Sequence, residues 1–522
     1  MDLEALNSID KATRVGRGEL FRVGVALVFI ICVMLYARAV GADAPNLIML
    51  VVAATIGAYM ALNVGANDVA NNVGPAVGSQ ALTLTGAIVL AAIFEACGAI
   101  IAGGEVVDTV KKGIIDPAAI GDRDTFIWLM IAALLAAALW LNAATALGAP
   151  VSTTHSIVGG VLGAGVAAGG MEVADWGKFA QIVASWVISP VLGGAIAAGF
   201  LYLIKRTITY KSDVTAAARR QVPLLVGVMA WAFGTYLATK GLGKVVDISF
   251  AMALATGLVI GAAVFVVMTA FVRRASTSLE PGKAGVNTLF TTPLICSAAM
   301  LSFAHGANDV ANAVGPLAAV NSAIMTGVIM EKATVPIWIM LVGGLGIAVG
   351  LALYGPKLIR TVGSEITELD RMRAFCVAMA AALTVLIASQ LGLPVSSTHI
   401  AVGGVFGVGF LREYLKITYR RIIDDIERHH TGADRSTVEA FLERFERASF
   451  EEKGRMLKEL KAGAAATPIT KSERKDLKAL HRHELVKRTA ILKIVAAWVI
   501  TVPASAIVAG IIFFTIRGMM LP

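Results

Sequence analysis

Charge is scarce in this chain: 16% of its 522 residues are Asp, Glu, Lys or Arg, where ordinary soluble domains carry about 25%. Cysteine is scarcer still, with Cys32, Cys97, Cys296 and Cys376 each set inside an apolar stretch. A thiol in that setting packs as a small hydrophobe, so neither a disulfide framework nor a metal-binding spacing is expected. Soluble enzymology and nucleic-acid binding are poor readings of such a composition. What the chain has instead is apolar residues, at 57%, and a mean hydropathy of +0.76. Repeated stretches near the roughly 20 residues needed to cross a bilayer predict a polytopic all-α membrane protein.

Apolar segments fall near residues 21–39, 46–63, 86–103, 126–147, 151–170, 178–204, 222–239, 247–272, 286–305, 336–355, 374–393, 395–412 and 490–515, which predicts 12–13 spans. The basic residues before the first run (Lys11, Arg14, Arg17, Arg22) resemble a signal peptide. A second span follows at once, however, so an uncleaved first helix is expected. With the N-terminus inside, 205–220 is cytoplasmic with five Lys or Arg. The loop 104–125 lies outside, where acids outnumber bases. Both agree with the positive-inside rule, and Lys240 and Lys244 are the exception. The net charge of +9 needs no acidic partner on this reading. A cell (inner) membrane location follows, with N-terminus and the 411–488 stretch cytoplasmic.

The chain repeats itself. Gly65-Ala66-Asn67-Asp68-Val69-Ala70-Asn71 recurs unchanged as Gly306-Ala307-Asn308-Asp309-Val310-Ala311-Asn312, at an offset of 241. Pro150-Val151-Ser152-Thr153-Thr154-His155 is matched by Pro394-Val395-Ser396-Ser397-Thr398-His399 at 244, and Trp186-Val187-Ile188 by Trp498-Val499-Ile500 at 312. Duplication of a five-span unit is the reading, and the seven spans between the two starts turn the second copy over. An inverted-repeat helical bundle with broken or re-entrant helices is therefore expected, with its sites where the copies meet. The boundaries follow: an extra helix at 1–45, repeat 1 at 46–205, connecting loops and two spans at 206–285, repeat 2 at 286–410 and 489–522. The jump in offset marks an insertion at 411–488, with 19 Lys or Arg, 14 Asp or Glu and three capping-box patterns starting at Ser436, Ser449 and Thr470. Cytoplasmic amphipathic helices are expected there, with a regulator-docking role as an alternative to a solvated face.

An Asn-Asp pair in membrane-embedded sequence must face the protein interior and be compensated. The flanking glycines and Pro75 or Pro316 are expected to break the helix at each motif. Asp68 and Asp309 supply the charge, while Asn67, Asn71, Asn308 and Asn312 supply neutral oxygens. An oxygen-only set of this kind suits Na⁺ or H⁺ and no transition metal. The Ser-Thr motifs read as helix starts with Pro in the first turn, whose freed amides and hydroxyls hold an oxyanion without any Arg or Lys. Ser152, Thr153, Thr154, Ser396, Ser397 and Thr398 are the candidate ligands, against capping of their own backbone. His155 and His399 read as structural hydrogen bonders. Glu95, a mid-span carboxylate with no evident counterpart in the second copy, reads equally as a coupling-ion or gating group and as a buried hydrogen bonder.

At these residues the sequence resembles the inorganic phosphate transporter (PiT) family, over about 46–205, 286–409 and from about 487 onward. The resemblance implies uptake of inorganic phosphate by symport with Na⁺ or H⁺, a homodimer, and no cofactor. It implies that Asn67, Asp68, Asn308 and Asp309 line the ion and phosphate sites, that the Ser-Thr motifs contact phosphate, and that an intramembrane Glu matches Glu95. On the residues alone, Asp68, Asn71, Asp309, Asn312 and Glu95 are the coupling-ion candidates, with Na⁺ favoured because several neutral oxygens surround each carboxylate. A sulfate symporter of the same fold and an anion channel are the alternatives. A membrane enzyme acting on phosphate esters lacks a metal cluster or activated nucleophile.

Overall fold

The structure is a computed structural model. It describes residues 3–520 apart from 105, 108, 110–113, 117–118, 148–150, 245, 281, 330–334, 366–368, 430–436, 439, 445–455 and 457–488. Pro150 and the three predicted capping boxes of the insertion lie outside the described residues. Helices account for nearly all the rest: α1 (Leu3–Val40), α2 (Leu47–Asn67), α3 (Val69–Gly78), α4 (Leu84–Ala102), α5 (Arg123–Leu147), α6 (Thr153–Gly169), α7 (Trp176–Ile204), α8 (Val214–Lys240), α9 (Phe250–Ala275), α10 (Lys283–Leu289), α11 (Thr291–Thr326), α12 (Ile337–Glu365), α13 (Arg371–Gln390), α14 (Ser397–His429) and α15 (Thr489–Met520). The protein is a polytopic all-α membrane protein, with 11 helical segments among the described residues long and apolar enough to cross a bilayer.

Two of the 13 expected spans are absent from that set, and geometry explains why. The helix at 153–169 has 17 residues, roughly 25 Å of rise against about 30 Å of hydrocarbon. It pairs with α5 as a hairpin. The far ends of the two helices are tied by Asp116 N–H to the Val173 carbonyl (2.8 Å) and Asp175 N–H to the Ile114 carbonyl (3.1 Å). Their near ends meet at the first Asn-Asp motif, where Asn67 Nδ2 donates to Thr145 Oγ1 (2.9 Å) and Val151 N–H to Asn67 Oδ1 (3.2 Å). The segment 395–412 begins α14, which pairs with α13 in the same way. Gly392 (φ 65°) makes the turn, and Asn308 Nδ2 donates to Ser389 Oγ and to the Leu393 carbonyl, both at 3.0 Å. The two hairpins open at opposite ends of the bundle. Arg373 and Arg412 at the open end of α13–α14 gather around Lys205, at the end of α7. The α5–α6 hairpin opens beside Trp176, where that same helix begins.

The expected helix breaks also need correction. Only the first motif is interrupted, by one residue: α2 stops at Asn67 and α3 starts at Val69, with Asp68 itself near helical geometry (φ −84°, ψ −38°). The second motif lies inside the unbroken 36-residue α11, and Pro75 and Pro316 sit within helices. Proline removes one amide and forces no full break when the carbonyl it strands finds another donor. Every residue of α11 from Ser297 to Ile324 is buried, as befits a helix that packs on all sides.

The duplication reappears in the packing. A Cβ added at Gly306 would strike the Glu95 carbonyl, and one at Gly98 the Phe303 carbonyl. In the other copy Gly65 meets the Ile347 carbonyl and Gly350 that of Leu62. The first helix of each copy thus crosses the second helix of the other at van der Waals distance, through small residues as membrane helices commonly do. Likewise Gly403 on α14 meets the Pro190 carbonyl of α7, and Gly159 on α6 that of Val502 on α15. These contacts obey the sequence offsets of 241, 244 and 312 and add a further one of 252, at which Gly350 answers Gly98 and Ile347 is the counterpart of Glu95.

Replacing Gly98 by Val is expected to lower stability by about 1–3 kcal/mol through overpacking, whereas Gly199→Ala, which meets nothing within 4 Å, changes it little. Thermal unfolding of both variants in detergent checks the difference.

Candidate functional site

Four helix ends converge on the two motifs. Asp68 lies at the α2–α3 junction and Asp309 mid-way along α11, each almost completely buried. The starts of α6 and α14 face them. Ser152 Oγ accepts from His155 N–H (3.1 Å) and Ser396 Oγ from His399 N–H (3.3 Å). These two serines therefore cap their helices, and Pro394 precedes its cap by two residues instead of occupying the first turn. A proline's preference for an extended predecessor ends the preceding turn, and the serine hydroxyl then satisfies the third amide.

The remaining hydroxyls turn inward. Thr153 Oγ1 donates to Asp68 Oδ2 (2.5 Å) and Ser397 Oγ to Asp309 Oδ2 (3.0 Å), the same bond in each copy. Thr398 Oγ1 crosses between copies to Asp68 Oδ1 (2.8 Å) and accepts from Asn71 Nδ2 (2.8 Å). Asn312 Nδ2 mirrors that contact, donating to Thr153 Oγ1 (3.0 Å) and Thr154 Oγ1 (3.1 Å). Thr154 departs from the symmetry, since its hydroxyl donates to the Val395 carbonyl (3.0 Å). All ten candidate substrate residues thus gather at one place, eight through side chains that bond across it and Ser152 and Ser396 as caps at its edge.

Ligand atoms of Asp68, His305 and Asp309 lie within 4.8 Å of one another. Asp309 Oδ1 and Asn312 Oδ1 are buried and receive no hydrogen bond. Two carboxylates this close with spare oxygens are a place for cations, because the low-dielectric interior magnifies their mutual repulsion. The donor set is oxygen apart from His305, whose Nδ1 is already engaged 2.7 Å from Glu95 Oε2. Its Nε2 lies 2.9 Å from Asp309 Oδ2, while Asn72 Nδ2 donates to Glu95 Oε1 (2.8 Å). Glu95 is therefore joined to the site through an imidazole. Sequence reasoning missed His305, although its place directly before Gly306 was a usable signal. In the first copy that position is the buried Val64, so the Glu95–His305 pair exists in one half alone.

His155 and His399 lie aside from the carboxylates, with ring centroids 4.4 Å apart and His155 packed on Trp186 at 3.8 Å. Trp186 Nε1 in turn donates to the Pro394 carbonyl (3.1 Å). The pair holds the two Ser-Thr helix starts against each other.

Residues 64–509 match the sequence profile of the phosphate transporter family. This chain belongs to that family. A Helicobacter pylori (strain J99) protein named "Putative phosphate permease" is 51% identical over 523 residues, 98% of each chain. A Pyrococcus abyssi protein of the same description is 41% identical over 372 residues, covering 71% of this chain and 91% of its own length. A solved structure titled "The sodium-dependent phosphate transporter" shares 30% identity and superposes with a TM-score of 0.73, over 91% of this chain and 100% of that one. The family is one of transporters and not of enzymes. Within this family member, the half-specific Glu95–His305 pair joins Thr154 in departing from the symmetry of the site.

His305→Ala would strand two buried carboxylates and is expected to cost about 3–5 kcal/mol. Adding Glu95→Leu to it should cost less than the sum of the two single changes. A double-mutant cycle on thermal unfolding measures that coupling, and strict additivity would contradict the pairing.

Proposed function

We propose that this phosphate transporter imports inorganic phosphate by cation symport, with Na⁺ favoured over H⁺, by alternating access between two inverted repeats. The observation that carries the reading is the buried carboxylate pair with its unfilled oxygens. Phosphate bears one to two negative charges near neutral pH, and bringing it beside Asp68 and Asp309 without cations would be prohibitive. Cations on Asp309 Oδ1, Asn312 Oδ1 and Asp68 cancel the repulsion and turn the carboxylates into supports for the anion. In this conformation the hydroxyls of Thr153, Ser397 and Thr398 donate to the carboxylates. Loading frees them to donate to phosphate oxygens, together with Thr154, the asparagine amides of Asn67 and Asn308, and the backbone amides at the α6 and α14 starts, whose dipoles favour an anion. Asn71 and Asn312 fall to the cation, and Glu95 acts on it through His305.

Hairpins that open at opposite ends, and contacts that obey the duplication offsets, support inversion of the repeats. The cluster of Lys205, Lys283, Arg373 and Arg412 at one end supports placing that end, the N-terminus and the 411–488 insertion in the cytoplasm. The bulk of that insertion lies outside the described residues. On this topology α1 is an extra helix, 46–205 and 286–410 with 489–522 form the repeats, and 206–285 connects them. A homodimer in the inner membrane belongs to the same reading, by resemblance to the family.

The neighbour's sodium dependence favours Na⁺ here too, as do the neutral oxygens around each carboxylate. Phosphate differs from sulfate chiefly in the proton it can donate, which a carboxylate can accept. Purified protein in liposomes is expected to accumulate ³²P-phosphate against its gradient when an inward Na⁺ gradient is imposed, with excess sulfate failing to compete. Asp68→Asn and Asp309→Asn should each lower that uptake by roughly a hundredfold, the scale of about 3 kcal/mol for a lost charged contact. Uptake driven only by a pH gradient would reassign the ion, passive equilibration would indicate a channel, and full activity in both variants would overturn the site.

A further inference from the structure

On the other side of Thr145 from Asn67 lies a cavity of about 530 Å³, one wall of which is the extra helix α1. Glu19, Arg22, Val23, Ala26, Leu27 and Ile30 line it, positions that share one face of a helix at a period of 3.6. Opposite them stand Asn63 on α2, Asn142 and Thr145 on α5, and Tyr354 on α12. Among the described lining residues Arg22 is the one cation, 2.6 Å from Glu19. At the far end Thr145 accepts from Asn67 Nδ2, so a single side chain separates the cavity from the motif.

Three features mark this space as wet and one-sided. Asn142 is exposed on a helix apolar enough to span a membrane, a position that hydrocarbon would penalise and water would not. With Asn63, Thr145 and Tyr354 it gives a roomy cavity several polar partners. At the equivalent region of the second copy the described residues pack together. Ser389, the counterpart of Thr145, is buried, and Thr109 Oγ1 clasps the tip of the second hairpin through the Gly392 carbonyl (2.7 Å). The conformation is thus closed at one end and approached by a cavity from the other, the end where α1 begins.

We propose that this cavity is the inward vestibule of the transport path, filled with water, and that Arg22 is a transient contact for the phosphate oxyanion between the buried site and the cytoplasm. The inference rests on the phosphate-symport reading and assigns it a path and a specificity residue outside the duplicated motifs. Arg22 supplies the fixed positive charge that the buried site lacks. Glu19 beside it competes for the guanidinium, which keeps the hold on phosphate weak enough for passage, as conduction requires. The extra helix then walls the path off from lipid.

The test uses the full-length protein with Asn142→Cys introduced after the four native cysteines are replaced. Charged, water-soluble methanethiosulfonates should modify Cys at this position from the cytoplasmic side. The anionic reagent should react faster than its cationic analogue by at least about threefold, beyond their intrinsic ratio, through the field of Arg22. Arg22→Gln should abolish that preference and Arg22→Lys restore it. In liposomes Arg22→Gln should slow ³²P-phosphate exchange several-fold while ³²P binding by the detergent-solubilised protein persists. Modification by a lipid-soluble maleimide alone would show a lipid-filled groove and overturn the proposal. A preference that appears only in purely zwitterionic liposomes and is lost when anionic lipid is present would assign Arg22 to an anionic headgroup, with the same consequence. Unchanged exchange in Arg22→Gln would also overturn it. If the unmodified protein binds no phosphate, the symport reading fails, and the labelling ratio still reports separately whether the cavity is wet and anion-selective.

Discussion

Two carboxylates held side by side in the low-dielectric interior of a membrane protein repel each other strongly, and the rest of the architecture is arranged around that repulsion. Asp68 and Asp309 are kept close because Gly57 of α2 packs on Leu317 of α11, while glycine contacts seat each of these helices on the second helix of the other copy. Hydroxyls from both Ser-Thr helices and one imidazole offset part of the charge, and two buried oxygens are left over. The empty site is thus short of positive charge, which is the basis of the proposal that it takes cations and anion together.

On the transport reading proposed above, the repeated arrangement would let such a site be reached from either side in turn. Each hairpin tip bonds the asparagine of its own motif and presents hydroxyls to an aspartate, through Asn67, Val151 and Thr153 in one copy and Asn308, Val395 and Ser397 in the other. Equivalent contacts have nearly equal energies, the condition under which the proposed exchange of clasped and open tips would cost little. Symmetry is broken where a half has private chemistry. Glu95 and His305 face Ile347 and Val64 across the duplication, and Thr154 bonds a carbonyl where Thr398 bonds a carboxylate. Those positions set the two halves of the site apart.

Much of the site was legible in the sequence because duplication writes the same residues twice. The identical heptapeptides and the matching Pro-Val-Ser motifs named nearly every side chain that meets at the carboxylates. Glu95 was visible as a lone charge in an apolar run, yet its partner was not, because His305 lies 210 residues away and only the crossing of α4 with α11 brings them together. The cavity beside α1 was equally invisible, since a helix-period face of mixed residues reads in sequence as an ordinary membrane anchor.

Hydropathy and repetition alone determined that this is a helical membrane protein with a duplicated Asn-Asp and Ser-Thr core, because bilayer thickness fixes segment length and a copied motif needs no fold to be recognised. Hydropathy cannot distinguish a helix that crosses the membrane from one that turns back at its centre, as both bury the same apolar residues. Only the tertiary structure decided that 151–170 and 395–412 are halves of hairpins, that the second motif lies in an unbroken helix, and that Ser152 and Ser396 cap while Thr153 and Ser397 reach the carboxylates. Those outcomes depend on where each helix end finds its hydrogen-bond partner, and that partner belongs in most cases to a different segment of the chain.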